Sequence, residues 1–311
     1  MNKSPSYLQN SKIAVIGAIH LDRISHASQA IHHDTSTPGK IITRPGGVAT
    51  NICRALARLN MPPTLIGALG CDSDGDFLKH HLEQLGINTD GIHRVQNGRT
   101  GSYLALHEPD GTLFAAVCDS EITTCIPIPK QKCDLSPQLM AATIWLCETN
   151  LQSDLLFSLA HNKGNKLLCA DTVSVAKAPK LKVILPHIDI IFTNRLEAAS
   201  LLACSTNTPP AQMAIKMHRE GCNLVIITDS NRPVHICHQG KVIQKDVLAS
   251  EIVDVTGAGD AFIAGFLYNY TKTNNPLEAL DYGLAASAIT VGSTGAAPSK
   301  LTVKALEQRI T

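Results

Sequence analysis

Nine residues, 254 to 262, bring two carboxylates, a threonine and two glycines together directly before an apolar helical pattern. Gly257 and Gly259 allow the backbone to bend and to approach a ligand closely, and a helix that begins near Gly257 directs unpaired N–H groups outward. Such a helix N-terminus carries roughly half a positive charge, which favours a bound phosphate and is expected to keep the Asp260 carboxylate ionised. The segment therefore predicts an anion site with a carboxylate beside it.

A carboxylate beside a phosphate site repels the ligand unless it has a chemical task. We assign Asp260 the task of accepting a proton from a hydroxyl group that attacks the phosphate. The backbone amides of Gly257, Ala258 and Gly259 would stabilise the charge on the transferred group. The predicted chemistry is that of a kinase acting on an alcohol. The alternative is a helix cap and a tight turn, and the segment is no dinucleotide fingerprint because Phe262 occupies the third glycine position.

The composition restricts what such an enzyme binds. With 311 residues, 44% apolar content and a net charge of +1, the chain can bury a large core but does not attract polyphosphates overall. Only 4% of the residues are aromatic, so stacking surfaces for nucleic acid are not expected. No run approaches the ~20 apolar residues of a membrane span, and residues 1–11 are polar. We therefore expect a small-molecule partner, no nucleic acid or membrane partner, and a cytoplasmic location.

Short β-branched runs alternate with helical patterns along most of the chain, which predicts a parallel sheet covered by helices. Residues 101–106 and 112–117 instead alternate around a Glu-Pro-Asp-Gly turn and predict an antiparallel hairpin. With the polar segment before Gly46, this hairpin predicts a small sheet that projects from the core. The ten cysteines are scattered without a Cys-x-x-Cys pair, so we expect reduced, mostly buried thiols.

Candidate acceptor-binding residues follow the first predicted strand, residues 12–17. Ligands of open α/β sheets bind beyond the carboxyl ends of strands, so Asp22 is placed to bind sugar hydroxyls, unless it is an ordinary loop aspartate. Gly46 and Gly47 precede a helical pattern and again expose backbone amides, although structural glycines are the alternative. Asn51, one turn inside that helix, offers both a donor and an acceptor to a diol.

Asn194 and Glu197 stand three positions apart where a predicted strand meets a predicted helix. On the first turn of a helix they share one face, and together they can hold Mg²⁺ through water beside phosphate groups. The alternative is an N-cap followed by an exposed glutamate.

These motifs together resemble the ribokinase-like (PfkB) family of carbohydrate and nucleoside kinases. The resemblance rests on residues 254–262, on Gly46-Gly47 followed by Asn51, and on Asn194-x-x-Glu197, and it spans nearly the whole chain. It implies a three-layer α/β/α core with a mainly parallel sheet plus a small β-sheet lid. It also implies one kinase domain over residues 1–311, with the lid formed by about residues 23–44 and 97–120, and ATP and Mg²⁺ as cofactors.

The resemblance also assigns roles to individual residues. It implies Asp260 as the catalytic base, with the amides of Gly257, Ala258 and Gly259 as the anion hole. The implied acceptor contacts are Asp22, Gly46, Gly47 and Asn51, with Ser102, Tyr103 and Asp119 approaching from the lid. The implied nucleotide contacts are Asn194, Thr228, Thr256, Gly257 and Gly259. Magnesium is expected near Asn194 and Glu197, and a candidate potassium site comprises Asp254, the carbonyl of Val255, and Ser299.

The chain departs from the family pattern at two places. Both glycines that usually follow the threonine at position 228 are missing, although Asn231 can adopt left-handed geometry there. His20 stands where the family often has asparagine. These departures leave the strength of nucleotide binding open, and so does the possibility of a non-catalytic nucleoside sensor with the same fold.

Three further stretches concern the acceptor. Residues 37–41 leading into 45–47, residues 100–104 and residues 194–198 most resemble pseudouridine kinases, which implies phosphorylation of the 5′-hydroxyl of pseudouridine. Ribose or another nucleoside or sugar is the alternative acceptor. The edge of the lid can pair with a second subunit or stay free, so a homodimer through the lid is a candidate assembly.

Overall fold

A computed structural model describes residues 11–310, so most of the polar N-terminal stretch lies outside the described residues. The strands are β1 (Ile13–Ile16), β2 (His20–Ala27), β3 (Gly39–Gly46), β4 (Thr64–Gly70), β5 (Asn88–Val95), β6 (Gly101–His107), β7 (Leu113–Asp119), β8 (Ile144–Glu148), β9 (Leu167–Asp171), β10 (Ile190–Asn194), β11 (Leu224–Asp229), β12 (Arg232–His238) and β13 (Lys241–Lys245). The helices are α1 (Val48–Arg58), α2 (Ser73–Gln84), α3 (Pro137–Ala141), α4 (Ser153–Asn162), α5 (Arg195–Leu201), α6 (Pro210–Arg219), α7 (Ala258–Thr273), α8 (Pro276–Val291) and α9 (Val303–Ile310).

The main sheet contains nine strands in the order β13-β12-β11-β10-β9-β8-β1-β4-β5. All neighbouring strands pair in parallel except β12, which is antiparallel to both β11 and β13. The carboxyl ends of the parallel strands therefore meet at one edge, where α/β proteins bind their ligands. The prediction of a mainly parallel sheet is confirmed.

Helices cover both faces of this sheet because its strands are buried on both sides. In β1, Ile13 and Val15 pack into one core, which includes residues of α1, α2, α7, α8 and α9. Ala14 and Ile16 point the other way into a second core, which includes residues of α3, α4, α5 and α6. The three-layer α/β/α arrangement is confirmed, and α1 and α7 lie on the same face.

A second sheet of four strands has the order β3-β2-β6-β7, and we call it the lid sheet. Its register places Asp22 beside Arg44 on β3 and beside Tyr103 on β6, so these three side chains share one face, the inner face. Leu104 and Val117 pair on the opposite, outer face. The polar segment before Gly46 thus contributes strands β2 and β3 to this sheet.

The remaining compositional expectations have mixed outcomes. Within residues 11–310, no helix combines the length and the apolar character needed to cross a membrane. The cytoplasmic location stays a prediction. All ten cysteines are free, but the expectation that most are buried is wrong. Only Cys53, Cys147, Cys169, Cys222 and Cys237 are buried.

Candidate active site

The turn before α7 is built on Gly257. This residue has φ +74°, in the left-handed region that side chains disfavour, and a Cβ atom there would lie 2.3 Å from the Cβ of Ala296. Glycine is therefore required at this position both by the backbone conformation and by the close approach of the segment around Ala296. The helix begins at Ala258, as the sequence indicated.

The first amides of α7 do not all point into the same space. The N–H of Ala258 donates to the carbonyl of Val255 at 3.3 Å, so Ala258 is not available as an anion donor and this part of the prediction is wrong. The N–H groups of Gly259 and Asp260 have no acceptor within residues 11–310. A Cβ atom on Gly259 would meet nothing within 4 Å. Open space therefore lies in front of two free amides, as an anion site requires.

The Asp260 carboxylate is half-buried beside this space. Its Oδ2 accepts a hydrogen bond of 2.9 Å from Nδ2 of Asn51 on α1. It lines a cavity of about 150 Å³ together with Asp171, Asn194, Glu197, Thr228 and Gly259 among others. The side chain therefore faces a cavity with polar walls. Asn51 was expected to bind a diol, but its amide donor is used to hold Asp260.

Burial raises the pKa of Asp260 to about 7. The hydrogen bond from Asn51 lowers this pKa, and the negative charges of Glu148 and Asp22 raise it further. The expectation that the helix N-terminus keeps Asp260 ionised is therefore met only in part, because a carboxyl group with a pKa of about 7 is partly protonated at neutral pH. Because a general base works best when its pKa is near the working pH, the higher value suits proton abstraction from an alcohol.

Asp22 lies on the inner face of the lid sheet, close enough to affect the pKa of Asp260. A Cβ atom on Gly46 would lie 2.0 Å from Oδ1 of Asp22, so only glycine leaves room for this carboxylate. Burial raises the pKa of Asp22 to about 6, against the lowering effect of Arg44 and Arg54. Gly47 has φ +90° and approaches the carbonyl of Ala18, so both glycines have structural roles; Gly46 is buried and Gly47 is partly buried.

The predicted lid contacts separate between the two faces of the lid sheet. Ser102 pairs with Leu21 on β2 and with Asp119 on β7, which places it on the face opposite Asp22. Its hydroxyl accepts a hydrogen bond of 2.9 Å from Arg23 and donates to the carbonyl of Leu21. The register therefore does not favour Ser102 and Asp119 as acceptor contacts, and these contacts stay a prediction. Tyr103 is the residue of this strand that shares the face of Asp22.

Asn194 and Glu197 form a capping box at the start of α5. The side-chain oxygen of Asn194 accepts hydrogen bonds from the backbone N–H groups of Leu196 and Glu197. The backbone N–H of Asn194 donates to Oε2 of Glu197. The structural alternative for Asn194 is thus correct, but Glu197 is only 7% exposed, and Thr172 donates to its carboxylate. The pair both caps the helix and lines the cavity beside Asp260.

The donor set in this cavity fits a divalent cation near the phosphates. Burial raises the pKa of Asp171 well above its ordinary value, and the charges of Asp260, Glu197 and Glu148 raise it further. Carboxylates that repel one another in this way bind a magnesium ion favourably, directly or through water. Within residues 11–310 no three such side chains are close enough to enclose a metal ion by themselves, so water or substrate oxygens would complete its coordination.

The turn after Thr228 differs from the expectation in one detail. Ser230, with φ +56°, is the left-handed residue of the turn between β11 and β12, and Asn231 is not. Asp229 accepts from Arg195 at 3.2 Å and lies 3.4 Å from a guanidinium nitrogen of Arg232. Ion pairs thus hold this turn where the family has glycines. Thr228 still lines the cavity beside Asp260.

The candidate potassium ligands are occupied by other contacts. The two oxygens of Asp254 accept the N–H groups of Thr256 at 2.9 Å and of Gly295 at 3.0 Å. The carbonyl of Val255 accepts from Ala258, as described above. These contacts fit a role in fixing the turn before α7 and do not favour a bound cation. Potassium binding at Asp254, Val255 and Ser299 stays a prediction.

A second cavity, which the sequence did not reveal, adjoins the start of α7. It has a volume of about 350 Å³ and is lined mainly by aliphatic side chains, including Val247, Leu248, Ile252 and Leu284. Val255 and Ala258 are also part of its wall, so it lies directly next to the turn that carries the free amides. Its size and its apolar walls suit a flat heterocycle.

The fold and the site define a kinase of the α/β class with an alcohol acceptor. Residues 10–303 match the model of the pfkB family carbohydrate kinases, and the chain belongs to that family. The chain is 28% identical over 256 residues to the pseudouridine kinase of Escherichia coli K12, which covers 81% of this chain and 82% of that protein.

Two solved structures share the fold. The structure of the Arabidopsis thaliana ribokinase complexed with ribose and ATP has a TM-score of 0.85 and 22% sequence identity. The match covers 97% of this chain and 99% of that chain. A putative ribokinase II from E. coli in complex with ATP and Mg²⁺ has a TM-score of 0.81 at 20% identity, covering 96% and 99% of the two chains. The protein is thus a sugar or nucleoside kinase of the ribokinase family.

The two glycines of the α7 turn allow a matched test of the anion site. Gly259→Ala should retain or raise stability, by roughly 0.5–1 kcal/mol, because the residue lies in a helix with free space around it. It should abolish thermal stabilisation by ATP, because the new methyl group occupies the phosphate space. Gly257→Ala should instead lower the free energy of unfolding by at least about 1–2 kcal/mol, since φ is positive there. Gly259→Ala that is stabilised by ATP as strongly as the original chain would contradict the assignment.

The raised pKa of Asp260 predicts the pH dependence of catalysis. A protonated Asp260 cannot accept a proton, so kcat/KM should fall about tenfold for each pH unit below about 7. Asn51→Ala removes the hydrogen bond that lowers this pKa, so the fall should begin at higher pH. ATP ionises identically in both assays, so the difference between the two profiles belongs to the protein. Identical profiles, or a fall only near pH 4, the ordinary aspartate range of about 3.9, would contradict the prediction.

Proposed function

We propose that this kinase transfers the γ-phosphate of ATP to the 5′-hydroxyl of pseudouridine, giving pseudouridine 5′-phosphate and ADP. The observation that carries the transfer is the position of Asp260 beside the free amides of Gly259 and Asp260, in a cavity with polar walls. The choice of acceptor is supported by the similarity to the E. coli pseudouridine kinase and by residues 37–41 and 100–104.

In this mechanism, Asp22 and the backbone at Gly47 bind the ribose hydroxyls, and Tyr103 covers the acceptor from the inner face of the lid sheet. Asn51 orients the Asp260 carboxylate through its 2.9 Å hydrogen bond. Asp260 accepts the proton of the 5′-hydroxyl as the oxygen attacks the γ-phosphorus. The amides of Gly259 and Asp260 stabilise the charge on the transferred group.

The nucleotide would extend from this point in two directions. Its phosphates lie along Asn194, Thr228, Thr256 and Gly257, and its adenine occupies the aliphatic cavity beside α7. Glu197 and Asp171 would hold a magnesium ion directly or through water, and the bound ion would supply positive charge to the phosphate oxygens. Contacts in the aliphatic cavity would compensate for the glycines missing after Thr228.

The whole chain, residues 1–311, is proposed to act as one kinase domain, with residues 23–44 and 97–120 as its lid. The site supports this proposal, because Asp22 and Asp260 are far apart in the sequence and the charge of Asp22 raises the pKa of Asp260.

A different acceptor is the second candidate function. Ribose-binding and nucleoside-binding kinases share this fold, and the partly buried Asp22 suits any ribosyl group. A non-catalytic nucleoside sensor is less favoured, because the base and both free amides are present.

The acceptor is tested by incubating the purified chain with ATP, Mg²⁺ and, separately, pseudouridine, uridine, adenosine and ribose, and measuring ADP release and the phosphorylated product. Pseudouridine should give the highest kcat/KM. Asp260→Asn should lower kcat by roughly 10²- to 10⁴-fold with an unchanged fold, the usual contribution of a general base. A higher kcat/KM for another acceptor would replace the substrate, and ligand-induced stabilisation without any ADP release would favour the sensor.

The outer face of the lid sheet supports a homodimer. Ile41, Leu104 and Val117 share this face and expose 71%, 41% and 67% of their surface. A second copy would cover these side chains and pair with the sheet edge. Light scattering after size exclusion should therefore give twice the chain mass for the original protein and one chain mass for Val117→Asp. A monomer in both cases would contradict the proposal.

A further inference from the structure

The proposed reaction places a strongly negative triphosphate among carboxylates. The charges of Glu148 and Asp22 raise the pKa of Asp260, and the charges of Asp260, Glu197 and Glu148 raise the pKa of Asp171, so negative charges lie close together in the site. Charge on the three equatorial oxygens of a transferred phosphoryl group needs positive partners in the transition state. The free amides supply part of this stabilisation. A cationic side chain of the protein is expected to supply more.

Four described cationic side chains act on these carboxylates: Arg44, Arg54, Lys177 and Lys180. Lys180 donates to the carbonyls of Thr149 and Leu151 and is therefore already held by the protein. Arg54 donates to the carbonyl of Pro45 at 3.1 Å, and its Nε is enclosed within α1 and its neighbours without a partner. Lys177 is hydrogen-bonded to Oδ1 of Asn150. All three groups are therefore poorly placed to bind a substrate.

Arg44 differs from these three residues in its contacts. It lies directly across from Asp22 in the pairing of β2 with β3, on the inner face of the lid sheet. Its Nη1 lies 3.9 Å from Oδ2 of Asp254, too far for a hydrogen bond. Within residues 11–310 its guanidinium makes no hydrogen bond, and its side chain is 23% exposed. Five N–H donors are thus available in a partly enclosed position.

The guanidinium of Arg44 lies between a candidate acceptor-binding residue and the turn before α7. On one side is the acceptor carboxylate Asp22, whose pKa Arg44 lowers. On the other side is Asp254, which fixes the turn before α7 by accepting from Thr256 and Gly295. Nη1 also lies 3.5 Å from the place that a Cβ of Gly295 would take, so the guanidinium rests on the backbone of that segment.

We propose that Arg44 is a catalytic residue of the phosphoryl transfer, an inference that rests on the proposed function. Its guanidinium binds the equatorial oxygens of the γ-phosphoryl group from the side opposite the α7 amides. During the step a bond forms between the acceptor oxygen and the γ-phosphorus, and the bond from that phosphorus to the β–γ bridging oxygen breaks. The acceptor proton passes to Asp260, and ADP leaves with the bridging oxygen.

A purely structural role is the competing explanation. Arg44 would then only connect the lid sheet to the turn before α7, and its loss would change stability or ATP affinity but not the transition state. Arg23 provides a matched control, because it is a neighbouring arginine on the same sheet whose side chain is directed to Asp74 and Ser102 on the outer face.

The test compares Arg44→Gln, Arg44→Lys and Arg23→Gln with the original chain. Arg44→Gln should lower kcat by about 10²- to 10³-fold with little change in the KM for ATP, as for loss of one preorganised donor of the transition state. Arg44→Lys should recover part of the loss because it keeps the charge but not the planar donor geometry. Arg23→Gln should keep the original kcat.

A binding measurement separates the two roles without turnover. Aluminium fluoride with ADP and pseudouridine imitates the transferred group, and this mixture should raise the melting temperature of the original chain and of Arg23→Gln. Arg44→Gln should lose that additional rise and keep the rise given by ADP alone. If Arg44→Gln kept the original kcat, or kept the additional rise in melting temperature with aluminium fluoride, the role of Arg44 would be refuted while the proposed function would stand. An original chain that phosphorylates none of the four acceptors would refute the proposed function, and this inference with it.

Discussion

The hydrogen bond between Asn51 and Asp260 joins residues 209 positions apart and is the contact on which the site depends. It connects the start of α1, set by the glycines after the lid sheet, to the start of α7, set by Gly257. Both helices belong to the same layer and pack together against the main sheet. A carboxylate in partly buried surroundings is costly without such a donor. The layer arrangement thus determines how basic Asp260 is.

Burial and charge act on this carboxylate in opposite directions. Desolvation and the neighbouring carboxylates raise its pKa, while the amide of Asn51 lowers it, and the balance is a value of about 7. A higher value would leave too little ionised base at neutral pH, and a lower value would weaken the base. The same acidic surroundings favour positive partners beside this carboxylate, which supports the proposed magnesium site and the role of the free amides. The site therefore combines a base with an excess of negative charge that only a phosphate complex with cations relieves.

Much of the fold could be predicted from local patterns in the sequence. Helix α8 begins at a local signal in the sequence, because Asn275 accepts the first amides and Pro276 occupies the first helical position. The turn before α7 was also predicted from its glycines. The structure explains the glycine at position 257, because only glycine tolerates both φ +74° and the contact with Ala296. Strands β2 and β3 gave no such signal, because their polar residues pair only with each other and with β6.

The errors at the site have tertiary causes. Ser102 and Tyr103 were both expected to contact the acceptor, yet a strand turns alternate residues to opposite faces, and only the pairing with β2 decides which face is inner. The pKa of Asp260 depends on burial by distant segments, and the aliphatic cavity beside α7 is formed by residues from three separate regions. Neither feature is present in a local stretch of sequence.

The central claim is that Asp260 is a base with a pKa near neutrality. The most direct test is a pH titration by ¹³C NMR of the chain in which the side-chain carboxyl carbons of the aspartates carry ¹³C. The signal that is missing from the spectrum of Asp260→Asn belongs to Asp260. The account predicts a resonance that titrates near pH 7, is absent from Asp260→Asn, and titrates at higher pH in Asn51→Ala. An Asp260 resonance that titrates at the ordinary aspartate pKa of about 3.9, or that does not respond to loss of the Asn51 amide, would contradict it.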